Sequence, residues 1–385
     1  MTQLSATWLS DPTSVAVMAA LGRGYFVGGC VRNALLGLDT KTDVDIATPL
    51  RPTAVIELLE AAGLKAVPTG LSHGTITAVC AGVPIEVTTF RADVATDGRH
   101  AEVAFTTDIS TDAARRDFTM NALYAERDGT VIDPLGGLPD LEARQVRFIG
   151  LAEDRIREDY LRILRFFRFH AWYGADGIDA EGLAACAALA DGLEALARER
   201  VGWEFRKLLA APDPARAVAS MAASGILARC LPGATPSALA PLVHLERENG
   251  SKPQWLTRLR ALGSDDHADR LRLSRAEIAQ LARINAALDA SQPAALLSYR
   301  FGGDAAKAAS LITAASSGGD VPPNLDFEIA RGAKAVFPVQ AKDLMRAGLE
   351  AGPKLGAALA RAEAIWLGQG FQPGKDALVK AVTQG

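Results

Sequence analysis

The stretch GGCVRNALLG (residues 28–37), followed five residues later by DVDIAT (residues 43–48), decides how the first part of this chain folds. The apolar residues 24–27 before it predict a short strand, and residues 31–36 predict a helix after a glycine turn. Gly28 and Gly29 let the backbone approach a ligand closely, and the amides that start the helix would face an anion. A second short strand is predicted over residues 44–46.

Two acidic residues lie at this second strand. Asp43 and Asp45 are two positions apart, and side chains with that spacing on a strand point to one face, so both carboxylates can bind one metal cluster. Magnesium prefers such oxygens, and two ions about 3.5–4 Å apart would activate an attacking hydroxyl and stabilise a leaving pyrophosphate. Glu86, an acid within a β-branched run, is the candidate for a third carboxylate. The alternatives are a solvated strand end for the aspartates and an outward-facing strand position for Glu86.

The rest of the chain changes from mixed to helical patterning. Residues 54–62 predict a helix, and residues 74–80 and 84–90 predict strands. From about Glu153 onward the period is helical, with breaks at residues 174–178, 212–214, 232–236 and 316–323. The predicted fold class is therefore α+β, with an N-terminal mixed β-sheet and helices followed by an all-helical remainder. A length of 385 residues predicts two or three domains.

The composition is that of an ordinary globular protein, with 49% hydrophobic and 22% charged residues. The first residues carry neither a basic start nor a long apolar run, and no window is apolar enough for a membrane helix, so we expect a cytoplasmic location. The four cysteines form no CxxC pair, which argues against zinc and a disulfide framework. The net charge of −4 is low for a nucleic-acid enzyme, although residues 144–170 hold seven arginines against four acids.

Read in order, the motifs resemble the bacterial tRNA nucleotidyltransferase and poly(A) polymerase family, the eubacterial-eukaryotic class of CCA-adding enzymes. The first motif of that family is similar to GGCVRNALLG with DVDIAT. The later ones are similar to ARRDFTMNAL (residues 114–123), DPLGGLPDLEARQVRFIG (133–150), EDYLRILRFFRF (158–169) and ERVGWEFRKLL (199–209). The resemblance covers about residues 20–215.

The resemblance implies a role for individual side chains. Asp43 and Asp45 would be the metal ligands and Arg116 would join them in catalysis, with Glu86 as a further catalytic candidate that comes from its strand position and not from the resemblance. The nucleotide would be bound by Gly28, Gly29, Arg32, Arg115, Asp117 and Asn121, while Glu158, Asp159 and Arg162, with Arg165 beside them, would form a protein template that reads the incoming base.

The resemblance also implies an architecture and a set of ligands. Residues 1–150 would be the nucleotidyltransferase domain, residues 151–215 a nucleotide-selecting helical neck, and residues 216–385 a helical body and tail that bind RNA. The enzyme would use two Mg²⁺ ions, CTP and ATP, and would act on the 3′ end of the tRNA acceptor arm. No membrane and no obligate protein partner are expected.

The template prediction also follows from helical spacing. In a continuous helix, Glu158 and Arg162 are i, i+4 neighbours and Asp159 and Arg162 are i, i+3 neighbours. An acceptor carboxylate beside a donor guanidinium can pair with the edge of either cytosine or adenine. The alternative is a ladder of intrahelical salt bridges, each worth about a few tenths of a kcal/mol.

Two features leave the activity open. Asn33 stands where the family usually has aspartate, although the DxD pair is intact. Poly(A) polymerases of the family share nearly all these motifs, so poly(A) addition, or addition of only C or only A, is the second hypothesis. A non-catalytic RNA-binding scaffold is the third. Residues 91–108 would be a flexible loop that helps the pocket switch from C to A.

Overall fold

The structure, a computed structural model, describes residues 2–38, 43–97, 100–175, 177–264 and 267–384. The chain separates into two compact units, residues 1–232 and 233–385. The predicted division at residues 150 and 215 stays a prediction.

The first unit begins with a mixed sheet and its helices, and it continues as a helical array. The elements of the mixed part are α1 (Pro12–Leu21), β1 (Tyr25–Val27), α2 (Gly29–Leu35), β2 (Asp45–Thr48), α3 (Pro52–Ala61), β3 (Lys65–Gly70), β4 (Thr75–Cys80), β5 (Val83–Thr89), β6 (Arg91–Asp97), β7 (His100–Phe105), α4 (Ile109–Ala114), β8 (Tyr124–Ala125), β9 (Val131–Ile132) and α5 (Leu138–Glu142). The helical part contains α6 (Ala152–Glu158), α7 (Leu161–Tyr173), α8 (Ala180–Ala188), α9 (Arg198–Leu209), α10 (Ala215–Ala223) and α11 (Ile226–Cys230).

The sheet has the strand order β3-β4-β5-β2-β1-β8-β9. Strands β2 and β5 run parallel, and the other neighbouring pairs are antiparallel. The fully buried side chains of Ile46 and Val87 explain why the two parallel strands occupy the middle of the sheet. The predicted mixed α/β start and helical remainder are therefore confirmed, as are the strands predicted around residues 24–27, 74–80 and 84–90.

The glycine turn between β1 and α2 has the predicted conformation. Gly28 has φ 72° and ψ −119°, which a residue with a side chain adopts only at a cost. A Cβ atom there would lie 3.5 Å from Nη1 of Arg116 and 3.7 Å from the carbonyl oxygen of Asn121. The turn therefore brings the start of α2 close to the segment after α4.

Three local predictions were wrong. The segment of residues 91–108, predicted as a loop, contains the antiparallel pair β6 and β7, which forms a separate two-stranded sheet, and its role in the switch from C to A stays a prediction. The motif ARRDFTMNAL predicts that Arg115–Asp117 opens a helix, but Arg115 directly follows the last residue of α4, so the segment ends a helix. The predicted continuous helix from Glu158 is interrupted, because Asp159 is extended (φ −155°, ψ 105°) between α6 and α7.

An aromatic cluster packs α7 against the segment that follows α4. The ring of Phe118 lies 4.9 Å from that of Phe148 and 5.0 Å from that of Phe169, and Phe148 stacks on Phe166 at 5.3 Å. Helix α7 also packs against α9, where Nε of Arg168 donates to Glu204 at 2.5 Å in a buried ion pair. These contacts hold α7 and α9 beside the sheet domain.

The second unit is helical throughout its described residues. Its helices are α12 (Leu239–Glu248), α13 (Trp255–Ala261), α14 (His267–Arg270), α15 (Arg275–Ala290), α16 (Ala294–Phe301), α17 (Gly303–Ser317), α18 (Leu325–Lys334), α19 (Ala341–Arg346), α20 (Pro353–Gly368) and α21 (Lys375–Thr383). One core lies around the alanine-rich α17, and a second around Trp366 of α20. Among the described residues of the whole chain, no helix has the length and apolar character needed to cross a membrane.

Candidate active site

A cleft of about 590 Å³ opens in the first unit, and it collects most of the predicted site residues. It is lined by Gly28, Gly29, Arg32, Asp45, Arg115, Arg116, Asp117, Asn121, Asp159, Leu161, Arg162, Arg165, Phe169, Arg200 and Lys207. Six arginines and one lysine face three aspartates there. Because the excess charge is positive, the cleft favours a polyanion such as a nucleoside triphosphate.

The acidic side of the cleft is formed where β2 and β5 run side by side. Asp45 is the first residue of β2, and its partner in the register with β5 is Glu86, so the two side chains lie on the same face. Burial raises the pKa of Asp45 to about 6; the charges of Glu86 and Asp43 act in the same direction, and Arg116 opposes them. The three carboxylates therefore repel one another, and a bound cation would relieve that repulsion.

The carboxylates of Asp43 and Asp45 are not arranged as the strand alternation predicts. Asp43 is exposed and precedes the strand, so the alternation argument does not place it on the face of Asp45. Among the described residues, no three His, Cys, Asp or Glu side chains are arranged to hold a metal together. The two aspartates are nevertheless hard oxygen donors, and magnesium commonly takes one or two carboxylates and completes its shell with water and substrate phosphates. Asp43 and Asp45 thus fit this ion, while the catalytic role of Glu86 stays a prediction.

Asp112, which the sequence analysis missed, holds the two arginines at the end of α4. Its carboxylate is 1% exposed and accepts hydrogen bonds from Arg115 at 2.7 Å, Arg116 at 3.0 Å and the hydroxyl of Tyr124 at 2.7 Å. Burial alone would raise the pKa of Asp112, but the charges of Arg116 and Arg115 and the Tyr124 hydroxyl hold it below its usual value. One carboxylate thus positions two cations and leaves one of their charges uncompensated.

A second buried carboxylate links α7 to the segment after α4. Oδ2 of Asp117 accepts from Nε of Arg165 at 2.7 Å and from its Nη2 at 2.5 Å, while Oδ1 accepts from Nδ2 of Asn121 at 2.9 Å. Burial would raise the pKa of Asp117, yet Arg165 and these hydrogen bonds lower it to about 2. The carboxylate is therefore ionised throughout the physiological pH range.

Arg32 lies in the cleft with neutral hydrogen-bond partners. Its guanidinium, on a residue 6% exposed, donates to the amide oxygen of Asn33 at 2.8 and 3.1 Å, to Oδ1 of Asn121 at 2.5 Å and to the hydroxyl of Tyr173 at 2.7 Å. The ring of Tyr173 also stacks on the guanidinium at 4.0 Å. Since Asn33 replaces the usual aspartate, the positive charge of Arg32 is not neutralised by its sequence neighbour.

Of the predicted template residues, Asp159 and Arg162 line the cleft and Glu158 does not, and their hydrogen-bond partners lie on three different segments. Arg162 donates to Oε2 of Glu158 at 2.5 Å and to the carbonyl oxygens of Arg155 and Arg115 at 3.0 and 3.1 Å. Oδ2 of Asp159 instead accepts from Arg200 of α9 at 2.7 Å. Each template side chain therefore has its own support, and Asp159 and Arg162 make no hydrogen bond to each other among those of the described residues.

Arg200 and Lys207 are cleft residues that the sequence analysis did not single out. Both lie in the motif ERVGWEFRKLL. Their spacing of seven places them on one side of α9, and that periodicity is the signal that could have found them. Of the predicted residues, Asp43, Glu86 and Glu158 do not line the cleft.

Comparisons with known proteins agree with this geometry. A family described as "Poly A polymerase head domain" matches residues 24–147, and one described as "Probable RNA and SrmB- binding site of polymerase A" matches residues 177–237. The mitochondrial CCA tRNA nucleotidyltransferase 1 of Mus musculus is 34% identical over 92% of this chain and 85% of its own length. The CCA-adding enzyme of Levilactobacillus brevis is 32% identical over 97% of both chains.

Solved structures show the same fold. The CCA-adding enzyme of Bacillus stearothermophilus in complex with CTP superposes with a TM-score of 0.75 at 28% identity, covering 99% of this chain and 98% of that one. The Thermotoga maritima enzyme complexed with tRNA has a TM-score of 0.72 at 20% identity, over 100% and 99% of the two chains. The first likeness extends to sequence and fold, and the second to the fold alone.

Proposed function

Because the chain belongs to the family of CCA-adding enzymes, we propose that it adds CCA to the 3′ end of tRNA from CTP and ATP. The observation that carries this proposal is the cationic cleft with Asp45 at its edge. Such a cleft binds a triphosphate beside a carboxylate that can hold a divalent cation.

The reaction is a phosphoryl transfer. The 3′-hydroxyl of the RNA loses its proton to solvent, and its oxygen forms a bond to the α-phosphorus of the nucleotide. The bond from that phosphorus to the bridging oxygen breaks, and pyrophosphate leaves with the electron pair of that bond. Magnesium ions, held by Asp43 and Asp45, would make the hydroxyl more acidic and stabilise charge on the departing oxygens. Arg115 and Arg116, held by Asp112, bind the phosphates and keep them in place.

Base selection is assigned to Asp159 and Arg162. Cytosine and adenine each present an amino donor next to a ring-nitrogen acceptor, whereas uracil and guanine present the opposite order. A carboxylate acceptor and a guanidinium donor therefore suit C and A. The contacts of Asp159 with Arg200 and of Arg162 with Glu158 keep both groups oriented before the base arrives.

We extend the proposal to the rest of the molecule. Residues 151–215 serve as the nucleotide-selecting neck, and residues 216–385 bind tRNA, chiefly through its phosphates and shape. A cytoplasmic location agrees with the four free thiols. The enzyme needs no obligate protein partner.

The test is incubation of the purified protein and magnesium with tRNA that lacks its 3′ CCA, with CTP, ATP or both, and the product lengths are read on a gel. We expect two nucleotides from CTP and one more when ATP is added. A long ladder from ATP alone would instead indicate a poly(A) polymerase. No extension of any RNA, with the Asp45→Asn variant as the inactive reference, would favour the scaffold hypothesis.

A further inference from the structure

One face of α9 carries an aromatic ring between two cations of the cleft. Arg200, Trp203 and Lys207 are spaced i, i+3 and i+7, which places them on the same side of the helix. Arg200 and Lys207 line the cleft and Trp203 does not, so we take its ring, which contacts Lys207, as the rim of the cleft. The opposite side of α9 is buried through Val201, Phe205 and Leu208.

Trp203 is unusually exposed for a tryptophan. It is 57% accessible, and Nζ of Lys207 lies 4.7 Å from its ring centroid. A second indole, Trp172 of α7, is 36% accessible and donates its Nε1–H to the carbonyl oxygen of Lys207 at 2.8 Å. The backbone of Lys207 is thus fixed by Trp172, and more than half of the surface of Trp203 is accessible to a ligand.

This aromatic rim is close to the predicted metal ligands. Burial and the charge of Arg168 lower the pKa of Lys207, whereas the charges of Glu204 and Asp43 act in the opposite direction. Lys207 and Asp45 line the same cleft, so the side chain of Lys207 lies near the place where the attacking hydroxyl must sit. A group bound on Trp203 would therefore be next to the RNA end that reacts.

We propose that Trp203 is a stacking platform for the last base of the RNA acceptor, and that Lys207 binds the phosphate of that nucleotide. This inference rests on the proposed function and names the residues that hold its second substrate. Single-stranded nucleic acids bind through aromatic rings under the bases and cations along the backbone.

The chemistry of the substrate favours stacking over hydrogen-bond recognition at this position. The last base of the acceptor changes after every addition, first the unpaired base at the end of the tRNA, then C, then C again. A ring accepts each of these because every base has a π-face, whereas a fixed set of donors and acceptors would reject some of them. The incoming nucleotide, which must be discriminated, is read by Asp159 and Arg162.

The test compares Trp203→Ala with Trp203→Phe in the full-length protein. Loss of one stacked base is expected to raise the KM for tRNA lacking CCA by about 5- to 150-fold, with the KM for CTP unchanged. The Trp203→Phe variant should recover most of the affinity. Leu151→Ala, which removes a side chain that is 72% exposed and outside the cleft, is the matched control and should leave both constants unchanged.

A second readout follows the stacking directly. An RNA whose last base is 2-aminopurine should lose fluorescence on binding the unaltered protein, and the quenching should be weaker with Trp203→Ala. Equal KM values for tRNA and equal quenching in a folded Trp203→Ala variant would overturn the proposal, as would a parallel rise in the KM for CTP. If the unaltered protein extends no RNA at all, the proposed function itself fails.

Discussion

Replacing Asp117 with asparagine should destabilise the protein, because this carboxylate is the buried counter-ion of the cleft. Asp117 is 8% exposed and accepts two hydrogen bonds from Arg165, one from Asn121 and one from the amide of Phe118. Asparagine keeps the shape but removes the charge, so Arg165 loses its ion pair. The change also removes a negative charge that partly compensates the positive charge of the neighbouring Arg32.

The size of the effect follows from the pKa. The interactions of Asp117 lower its pKa to about 2 from an ordinary value of 3.8. At about 1.4 kcal/mol per pKa unit, the ionised carboxylate contributes about 2 to 3 kcal/mol to the free energy of unfolding. A depressed pKa in the folded state means that this stabilisation is complete above about pH 4. It disappears as the pH falls towards 2.

The assay is urea denaturation followed by circular dichroism at pH 7.5, 5 and 3.5. The deficit of Asp117→Asn should be about 2 to 3 kcal/mol at the two higher pH values and smaller at pH 3.5. The control is Asp154→Asn, which removes an ion pair whose side chains are 58% and 53% exposed and should change stability by less than about 0.5 kcal/mol. If both variants unfold at the same urea concentration, the assignment of Asp117 as a stabilising counter-ion is wrong.

Three further predictions concern the site. Arg200→Met removes the support of Asp159, so misincorporation of UTP or GTP should increase in competition assays; unchanged selectivity would contradict the positioning role. Asp45→Asn should abolish nucleotide incorporation. In EDTA at pH 7.5 the variant should nevertheless be at least as stable as the parent, because an aspartate whose pKa is raised to about 6 in the folded protein destabilises the metal-free fold when it is ionised. A less stable variant would refute this. Cys30 is fully buried, and burial raises its pKa to about 11. A thiol reagent at pH 8 should therefore leave Cys30 unmodified and react first with the half-buried Cys80. Rapid labelling of Cys30 in the native protein would show that the glycine turn at Gly28 opens.

Much of the candidate site could be predicted from the sequence because its residues lie in short, ordered motifs. The glycine turn at Gly28 depends on a local backbone conformation, and the strands around residues 44–46 and 84–90 follow from short runs of strand-forming residues. The family and the α+β class followed from the same motifs. The comparisons and the fold confirm both.

Other features could not be predicted, because they depend on contacts between side chains that lie far apart in the sequence. The helical spacing predicted Asp159 and Arg162 to be neighbours on one helix. The backbone is instead extended at Asp159, and its carboxylate accepts a hydrogen bond from Arg200, which is 41 residues away in the chain. Asp112 carries no motif signal, since its importance comes from burial beside Tyr124 and two arginines.

The sequence by itself thus determined several short strands, the glycine turn and the family, since each depends on residues close together in the chain. Only the tertiary structure decided the ion-pair partners, the break at Asp159 and the exposed ring of Trp203 between two cations of the cleft. The physical reason is that the charge state and orientation of a buried side chain depend on desolvation and on neighbours brought together by packing. Local periodicity carries no information about those neighbours.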